Sequence, residues 1–248
     1  GIKANDLGSL HLLDITLFNP KLEIMMNEVE LNIGRSQESA LSVNKVVRNT
    51  YMLLSMTLFF SAICAVASMA MQLSQGVGFM LLLGGFGMSF VVRATANSSK
   101  GLVAVFAFAG LMGAAIGPTI SMYLVAYANG SAIVAQALGG TALIFLSLSG
   151  YALTSGKNFN FLGGFIFTGM MVLLVAMIAN LFLQIPAFSL AISSAVILLM
   201  SGFILFDTSR IINGGERNYI MATISLYLSI FNIFVHLLHL LGSLTGRD

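Results

Sequence analysis

Long apolar runs separated by short polar turns dominate the chain after about residue 45. Seven runs occur, and each approaches or exceeds the ~20 residues that a helix needs to cross a ~30 Å hydrocarbon core. Because lipid satisfies no backbone polar groups, such runs form helices or a closed barrel, and their length favours helices. The pattern predicts an all-α integral membrane protein with a seven-helix bundle in residues 45–248. The runs are 47–71, 77–95, 102–126, 132–154, 161–183, 190–212 and 219–242.

Composition agrees with a chain that lies almost entirely in the bilayer. Hydrophobic residues make up 58% and charged residues 8% of the sequence, whereas about 25% of a typical soluble domain is charged. The net charge of +2 is too small to indicate nucleic-acid binding. The single cysteine, Cys64, excludes an internal disulfide framework and a Cys-rich metal site.

Residues 1–44 differ in kind from the rest. They hold six of the nine acidic residues and no run long enough to span a membrane. We interpret them as a polar cytoplasmic tail that is largely disordered. Met25 and Met26 precede a polar run, which leaves open that the first ~25 residues are a non-native extension.

The basic residues predict how the bundle is oriented. When the seven runs alternate in direction, seven of the basic residues after residue 44 fall on one side of the membrane. Only Arg247 falls on the other side. The positive-inside rule then places the N-terminus in the cytoplasm and the C-terminus outside. The seven are Lys45, Arg48, Arg93, Lys100, Lys157, Arg210 and Arg217.

The last two runs carry the candidate chemistry. Asp207 is the only carboxylate in any of the seven runs, and ionisable groups inside a membrane are costly and usually face a protein interior or a water-filled cavity. Spacings of three and four place five polar residues on one face of the last helix. Since the turn makes the two helices antiparallel, the pattern predicts a pocket accessible to protons or ions between them. The five residues are Ser225, Ser229, Asn232, His236 and His239.

Purely structural roles for these residues are alternatives to the predicted pocket. Arg210 is spaced for an intrahelical ion pair with Asp207, and serine and asparagine commonly hydrogen-bond between membrane helices. Arg93 either extends to the headgroups or reaches Asp207 as a cationic latch. The candidate pocket residues are therefore Asp207, Ser225, Ser229, Asn232, Arg93 and Arg210.

The outer end of this polar face carries His236 and His239. Two polar contacts, a pH-sensitive pair or a shared metal are the alternatives, but no third metal ligand is evident. A single aspartate cannot form a proteolytic dyad, and no G-x-S-x-G, H-E-x-x-H or P-loop motif occurs. The sequence therefore predicts no enzyme, no catalytic residue, no cofactor and no firm metal site.

The run GFILFDTSRIINGGERNYIMATISLYLSIFNIFVHLLHLLG resembles the signature region of the Bax-inhibitor (transmembrane Bax inhibitor motif) family. The similarity is collinear over about residues 45–248. AFAGLMGAAIGPTISMYL and FLGGFIFTGMMVLLVAMIANLFLQIPA resemble the bacterial YccA branch. The resemblance implies a bacterial inner-membrane protein whose last helix is central in the seven-helix bundle.

Two functions follow from this resemblance. The YccA branch is associated with binding and restraining the FtsH-type membrane AAA protease, which implies a protease modulator. Other members are pH-sensitive calcium leak pathways with an aspartate pair on the last two helices and an arginine latch. Asp207 matches the first aspartate, but Ser229 stands where the second is expected, so a charged Ca²⁺ ligand is lost. A calcium or cation leak at Asp207, with weak Ca²⁺ binding, is therefore the alternative.

Overall fold

The computed structural model describes residues 20–245, and side chains at residues 24–26, 28–29 and 41–245. Within this part of the chain the regular structure is entirely α-helical, which confirms the predicted fold class. Seven helices follow one another through short turns. They are α1 (Pro20–Ala70), α2 (Gln75–Thr95), α3 (Lys100–Ala126), α4 (Gly130–Ser155), α5 (Leu162–Leu183), α6 (Pro186–Ile212) and α7 (Tyr219–Thr245).

Within residues 20–245, seven helical segments are long and apolar enough to cross a membrane, as the sequence predicts. They are Leu41–Ala70 within α1 and the whole of α2 to α7. Large apolar side chains cover the outer surface, and α5 is the clearest case because Ile166 is its one buried residue. Phe182 and Leu181 of α5 are 82% and 73% exposed, which is the arrangement expected of a surface that contacts lipid.

The N-terminal region differs from the expected tail where the structure describes it. The chain divides into two compact units, Gly1–Asn44 and Lys45–Asp248. In the first unit, residues 20–44 are helical instead of disordered. Proline is compatible with a helix start, because the N–H it lacks would have no intrahelical partner there, and leucine, methionine and glutamate favour helix in the residues that follow. The rest of the predicted tail, residues 1–19, lies outside the described residues.

The last helix is central, as the resemblance implies. Helix α7 packs against α2, α3, α4 and α6, and a hydrogen bond of 2.6 Å joins Tyr227 of α7 to Ser61 of α1. Tyr227 also packs edge to face against Phe108 of α3, with ring centroids 5.2 Å apart. The helix that carries most of the polar candidates is therefore the one that most of the bundle surrounds.

Hydrogen bonds tie together the turns at the end of the bundle that carries the basic residues. Asn218 caps α7 by accepting from the N–H groups of Ile220 and Met221, and its Nδ2 donates to the Ala96 carbonyl at 3.0 Å in the α2–α3 turn. Ser209, fully buried, accepts from the N–H of Phe159 at 2.9 Å in the α4–α5 turn. The three turns therefore form one connected end of the bundle.

A ridge of glycines brings α3 against α1. Gly110 faces Phe60, Gly113 faces the backbone of Ser61, and Gly117 faces Ala65 and Ser68. Small residues let membrane helices approach closely. A methyl group at Gly113 would collide with the carbonyl of Ser61, which cannot move without displacing α1.

We expect Gly113→Ala to lower the free energy of unfolding by about 1–3 kcal/mol, the usual cost of overpacking a core. Gly139→Ala is the matched control, because its new methyl group would meet nothing within 4 Å. Helix propensity alone would make Gly139→Ala neutral or stabilising by about 0.5–1 kcal/mol. Thermal unfolding in detergent measures both variants. Equal effects would contradict the close α1–α3 contact.

Candidate functional site

The acid of α6 and the first serine of α7 meet inside the bundle. Asp207 is 5% exposed, and the hydroxyl of Ser225 donates a hydrogen bond to its Oδ2. The short turn after Ile212 returns the chain antiparallel to α6, and this places the two residues side by side. The structure thus brings together two of the candidate pocket residues, one from each of the last two helices.

The next polar residues of α7 bond to their own helix. The hydroxyl of Ser229 donates to the carbonyl of Ser225 at 3.2 Å, and Nδ2 of Asn232 donates to the carbonyl of Leu228 at 2.8 Å. Ser229 is buried and occupies the position where the resemblance expects a second aspartate. Both side chains donate their hydrogen bonds to carbonyl groups of α7. The site at Asp207 therefore consists of one carboxylate and one hydroxyl donor.

Neither candidate arginine pairs with the acid. Nη2 of Arg210 lies 3.7 Å from Oε2 of Glu216, and its guanidinium lies over the Phe206 ring at 5.5 Å. The backbone N–H groups of Gly215 and Glu216 both donate to the Arg210 carbonyl, so the turn folds Glu216 back toward α6. The intrahelical pair between Arg210 and Asp207 is therefore not formed.

Arg93 does not act as a latch in this structure. It lies in the last turn of α2 and is exposed. Among the ion pairs of the described residues, none joins it to Asp207. Its neighbour Val92 is fully buried in the core, so the helix turns its apolar side inward and leaves Arg93 directed outward, toward the headgroup region.

A group of hydroxyls next to the acid was not predicted. The Tyr51 hydroxyl of α1 bonds to Ser149 of α4 and lies 3.4 Å from Oγ1 of Thr208, the residue after Asp207. Thr223 of α7 donates to the carbonyl of Thr50 at 3.3 Å. Hydroxyl residues are ordinary in apolar helices, and no spacing in the sequence indicates that these four helices bring theirs together.

At the other end of the polar face, a serine lies between the two histidines. Nδ1 of His236 and Nδ1 of His239 lie 3.1 and 3.0 Å from the hydroxyl oxygen of Ser193 in α6, which is buried. A serine hydroxyl has one proton to donate. At least one ring must therefore carry a proton on Nδ1 and donate it to Ser193. The sequence indicated the two histidines but gave no sign of the serine between them.

Few metal-ligating groups surround Asp207 among the described residues. One buried carboxylate with one serine donor supplies few of the six to eight oxygen ligands that Ca²⁺ takes. Among the described residues, no group of three or more His, Cys, Asp or Glu side chains converges. The site is therefore a buried acid between the last two helices, with the hydroxyl of Ser225 as its donor.

Seven spanning helices, a central last helix and a buried acid on the helix before it define a class of multi-pass helical membrane proteins. The family described as "Inhibitor of apoptosis-promoting Bax1" has a model that matches residues 43–246. The chain belongs to this Bax-inhibitor family.

Bacterial relatives cover nearly the whole membrane domain. The chain is 51% identical to "Modulator of FtsH protease YccA" of Escherichia coli K12, over 87% of this chain and 97% of the relative. It is 50% identical to a membrane protein of Vibrio cholerae, over 90% of this chain and 100% of the relative. A Pseudomonas aeruginosa protein, PA2604, is 45% identical over 90% of this chain and 100% of the relative. The resemblance of the sequence to the YccA branch is confirmed.

We expect Ser225→Ala to destabilise the bundle by about 1–3 kcal/mol, because it leaves a buried carboxylate oxygen without its donor. Ser201→Ala is the matched control on α6, since its hydroxyl donates only to the Ile197 carbonyl of its own helix at 2.8 Å. Unfolding in detergent at neutral pH measures both. If Ser201→Ala costs as much as Ser225→Ala, the bond to Asp207 contributes nothing specific.

Proposed function

We propose that this protein is a bacterial inner-membrane modulator that binds a membrane-anchored AAA protease of the FtsH type. The observation that carries the proposal is the 51% identity, over 97% of its length, to a protein named as a modulator of the FtsH protease. A relative from another Escherichia coli strain is named as an inner membrane protein, which supports the location.

The arrangement of charges supports a cytoplasmic N-terminus. Seven lysines and arginines lie at the end of the bundle where Asn218 and Ser209 tie the turns together. The turns at the other end, 71–74, 127–129 and 184–185, contain no lysine or arginine. By the positive-inside rule the basic end faces the cytoplasm. Residues 1–40 then lie on the cytoplasmic side, ahead of the first span.

The proposed mechanism combines an accessible segment with a bundle that resists extraction. Residues 1–40 carry six acidic residues and lie before the first span, so a protease can engage them from the cytoplasm. The bundle behind them is closely packed, as the contact between Gly113 and Ser61 illustrates. A protease that engages the segment but cannot unfold the bundle degrades nothing while it stays bound. Its activity toward other membrane proteins then falls.

Deleting residues 1–40 tests this mechanism, because it removes the segment and keeps the first span from Leu41 onward. We expect weaker co-purification with the protease and loss of its inhibition, with unfolding of the bundle in detergent unchanged. A variant in which a Gly/Ser linker of equal length replaces residues 1–40 separates loss of sequence from loss of length. Undiminished binding and inhibition would remove the segment from the mechanism. A full-length chain that neither co-purifies with the protease nor alters proteolysis would overturn the function itself.

A second candidate function is a pH-sensitive calcium or cation leak at Asp207. The observation that favours it is a carboxylate buried at 5% exposure whose hydrogen-bond donor is a neutral serine, with no arginine paired to it. An acid placed between membrane helices is a group that protons or cations can neutralise. The serine at position 229 is evidence against the leak, since a serine supplies no second negative charge.

Reconstitution in liposomes that contain a calcium-sensitive dye tests the leak. The leak predicts calcium entry that depends on pH and falls to the level of protein-free liposomes in Asp207→Asn. Ser229→Asp restores a carboxylate pair, and the leak predicts a higher flux in this variant provided that its unfolding in detergent matches that of the original chain. Absence of flux at every pH, or equal flux in Asp207→Asn, would contradict the leak.

A further inference from the structure

The bundle contains a large apolar cavity that the proposed function does not use. It lies between α1, α3, α4 and α7 and has a volume of about 660 Å³. Pockets for small ligands commonly measure 300–1,000 Å³ and are lined mostly by hydrophobic side chains. Asp207 is not among the residues that line it, so the cavity is separate from the acid site.

Its position along the helices places it inside the hydrocarbon region. It is lined from Leu58 to Met69 in α1, from Ile116 to Leu124 in α3 and from Val134 to Leu146 in α4. These stretches lie mainly in the half of each helix that leads to the turns 71–74 and 127–129. The cavity therefore lies at the depth of the acyl chains of one leaflet, the leaflet opposite the end that carries the basic residues.

The cavity opens sideways onto the lipid-facing surface. Val66 of α1 and Leu138 and Leu146 of α4 line it and are 64%, 55% and 65% exposed. The lining is thus continuous with the surface that contacts lipid. Hydrocarbon has an open path into the cavity, and a headgroup can stay at the interface while its chain extends inward.

The polar groups of the lining are already paired. The hydroxyls of Ser61 and Tyr227 bond to each other at 2.6 Å, and Thr141 donates to the Ala137 carbonyl at 2.7 Å. Apolar cavities without free polar partners do not hold ordered water. Leaving the space unfilled would forfeit the dispersion contacts of its lining, so an apolar occupant is favoured.

The dimensions favour a single chain over a helix. Leu58 to Met69 spans about 16 Å at 1.5 Å per residue. That length is about half of the ~30 Å hydrocarbon core, so the cavity matches the acyl chains of one leaflet and is too short for a helix that spans the membrane. We propose that this cavity binds one acyl chain of a phospholipid from the adjacent leaflet. The site does not depend on the proposed protease or leak function.

Tryptophan fluorescence tests the site, because the chain contains no tryptophan. Leu138→Trp places a probe in the cavity, and Leu181→Trp places one on the exposed face of α5. A phosphatidylglycerol with two bromine atoms at the middle of one chain is added to each full-length variant in detergent. We expect quenching of the first probe to saturate at one lipid per protein, and quenching of the second to rise linearly with lipid.

Filling the cavity provides the decisive comparison. Ala142→Phe, in the lining, should abolish the saturable quenching of Leu138→Trp, whereas Ala107→Phe, exposed on α3 and outside the lining, should leave it unchanged. Ala62→Phe fills the cavity from α1 and replaces Ala142→Phe if that variant unfolds. Linear quenching at both probes, or saturable quenching that survives the cavity-filling variant, would overturn the proposal. Native mass spectrometry that finds a peptide in place of the phospholipid would also overturn it.

Discussion

The bilayer cannot satisfy polar groups, and the structure depends on this constraint. Each spanning segment is helical, so its backbone bonds are internal, and polar side chains bond either to their own helix or to a neighbour. Thr57 donates to the carbonyl of Leu53, and Ser194 to that of Leu190. Others join helices, as Ser61 does with Tyr227. Among the described residues, Thr50 Oγ1 and Asn180 Oδ1 are the buried side-chain atoms left without a partner.

The same constraint explains why α7 is central. It carries polar side chains along most of its length, and these are least costly where protein surrounds them. Ser225 meets the acid of α6 at one end, and two histidines meet Ser193 of the same helix at the other. Helix α5, whose polar side chains are Thr168 and Asn180, lies at the periphery, and more than half of its residues are exposed. The central helix and the peripheral helix thus differ in polar content.

The serine at position 229 limits what the site at Asp207 can bind. Calcium favours several oxygen ligands with negative charge, and this serine, which bonds to its own helix, carries none. Asp207 is held by a neutral donor, while Arg210 pairs with Glu216 in the turn. This arrangement stabilises the hairpin between α6 and α7.

Sequence alone determined the seven spans, the clustering of basic residues at one end and the choice of Asp207 and Ser225 as candidate pocket residues. These follow from local rules, because apolar length, loop charge and helical spacing are properties of neighbouring residues. Helix in residues 20–44 was missed, since a polar composition outweighed helix propensity in the interpretation. Only the tertiary structure decided that Arg210 turns to Glu216, that Ser193 lies between two histidines, and that four helices enclose an apolar cavity. Each of these depends on how separate helices rotate and pack, and residues distant in the chain set that rotation through contacts that no local pattern encodes.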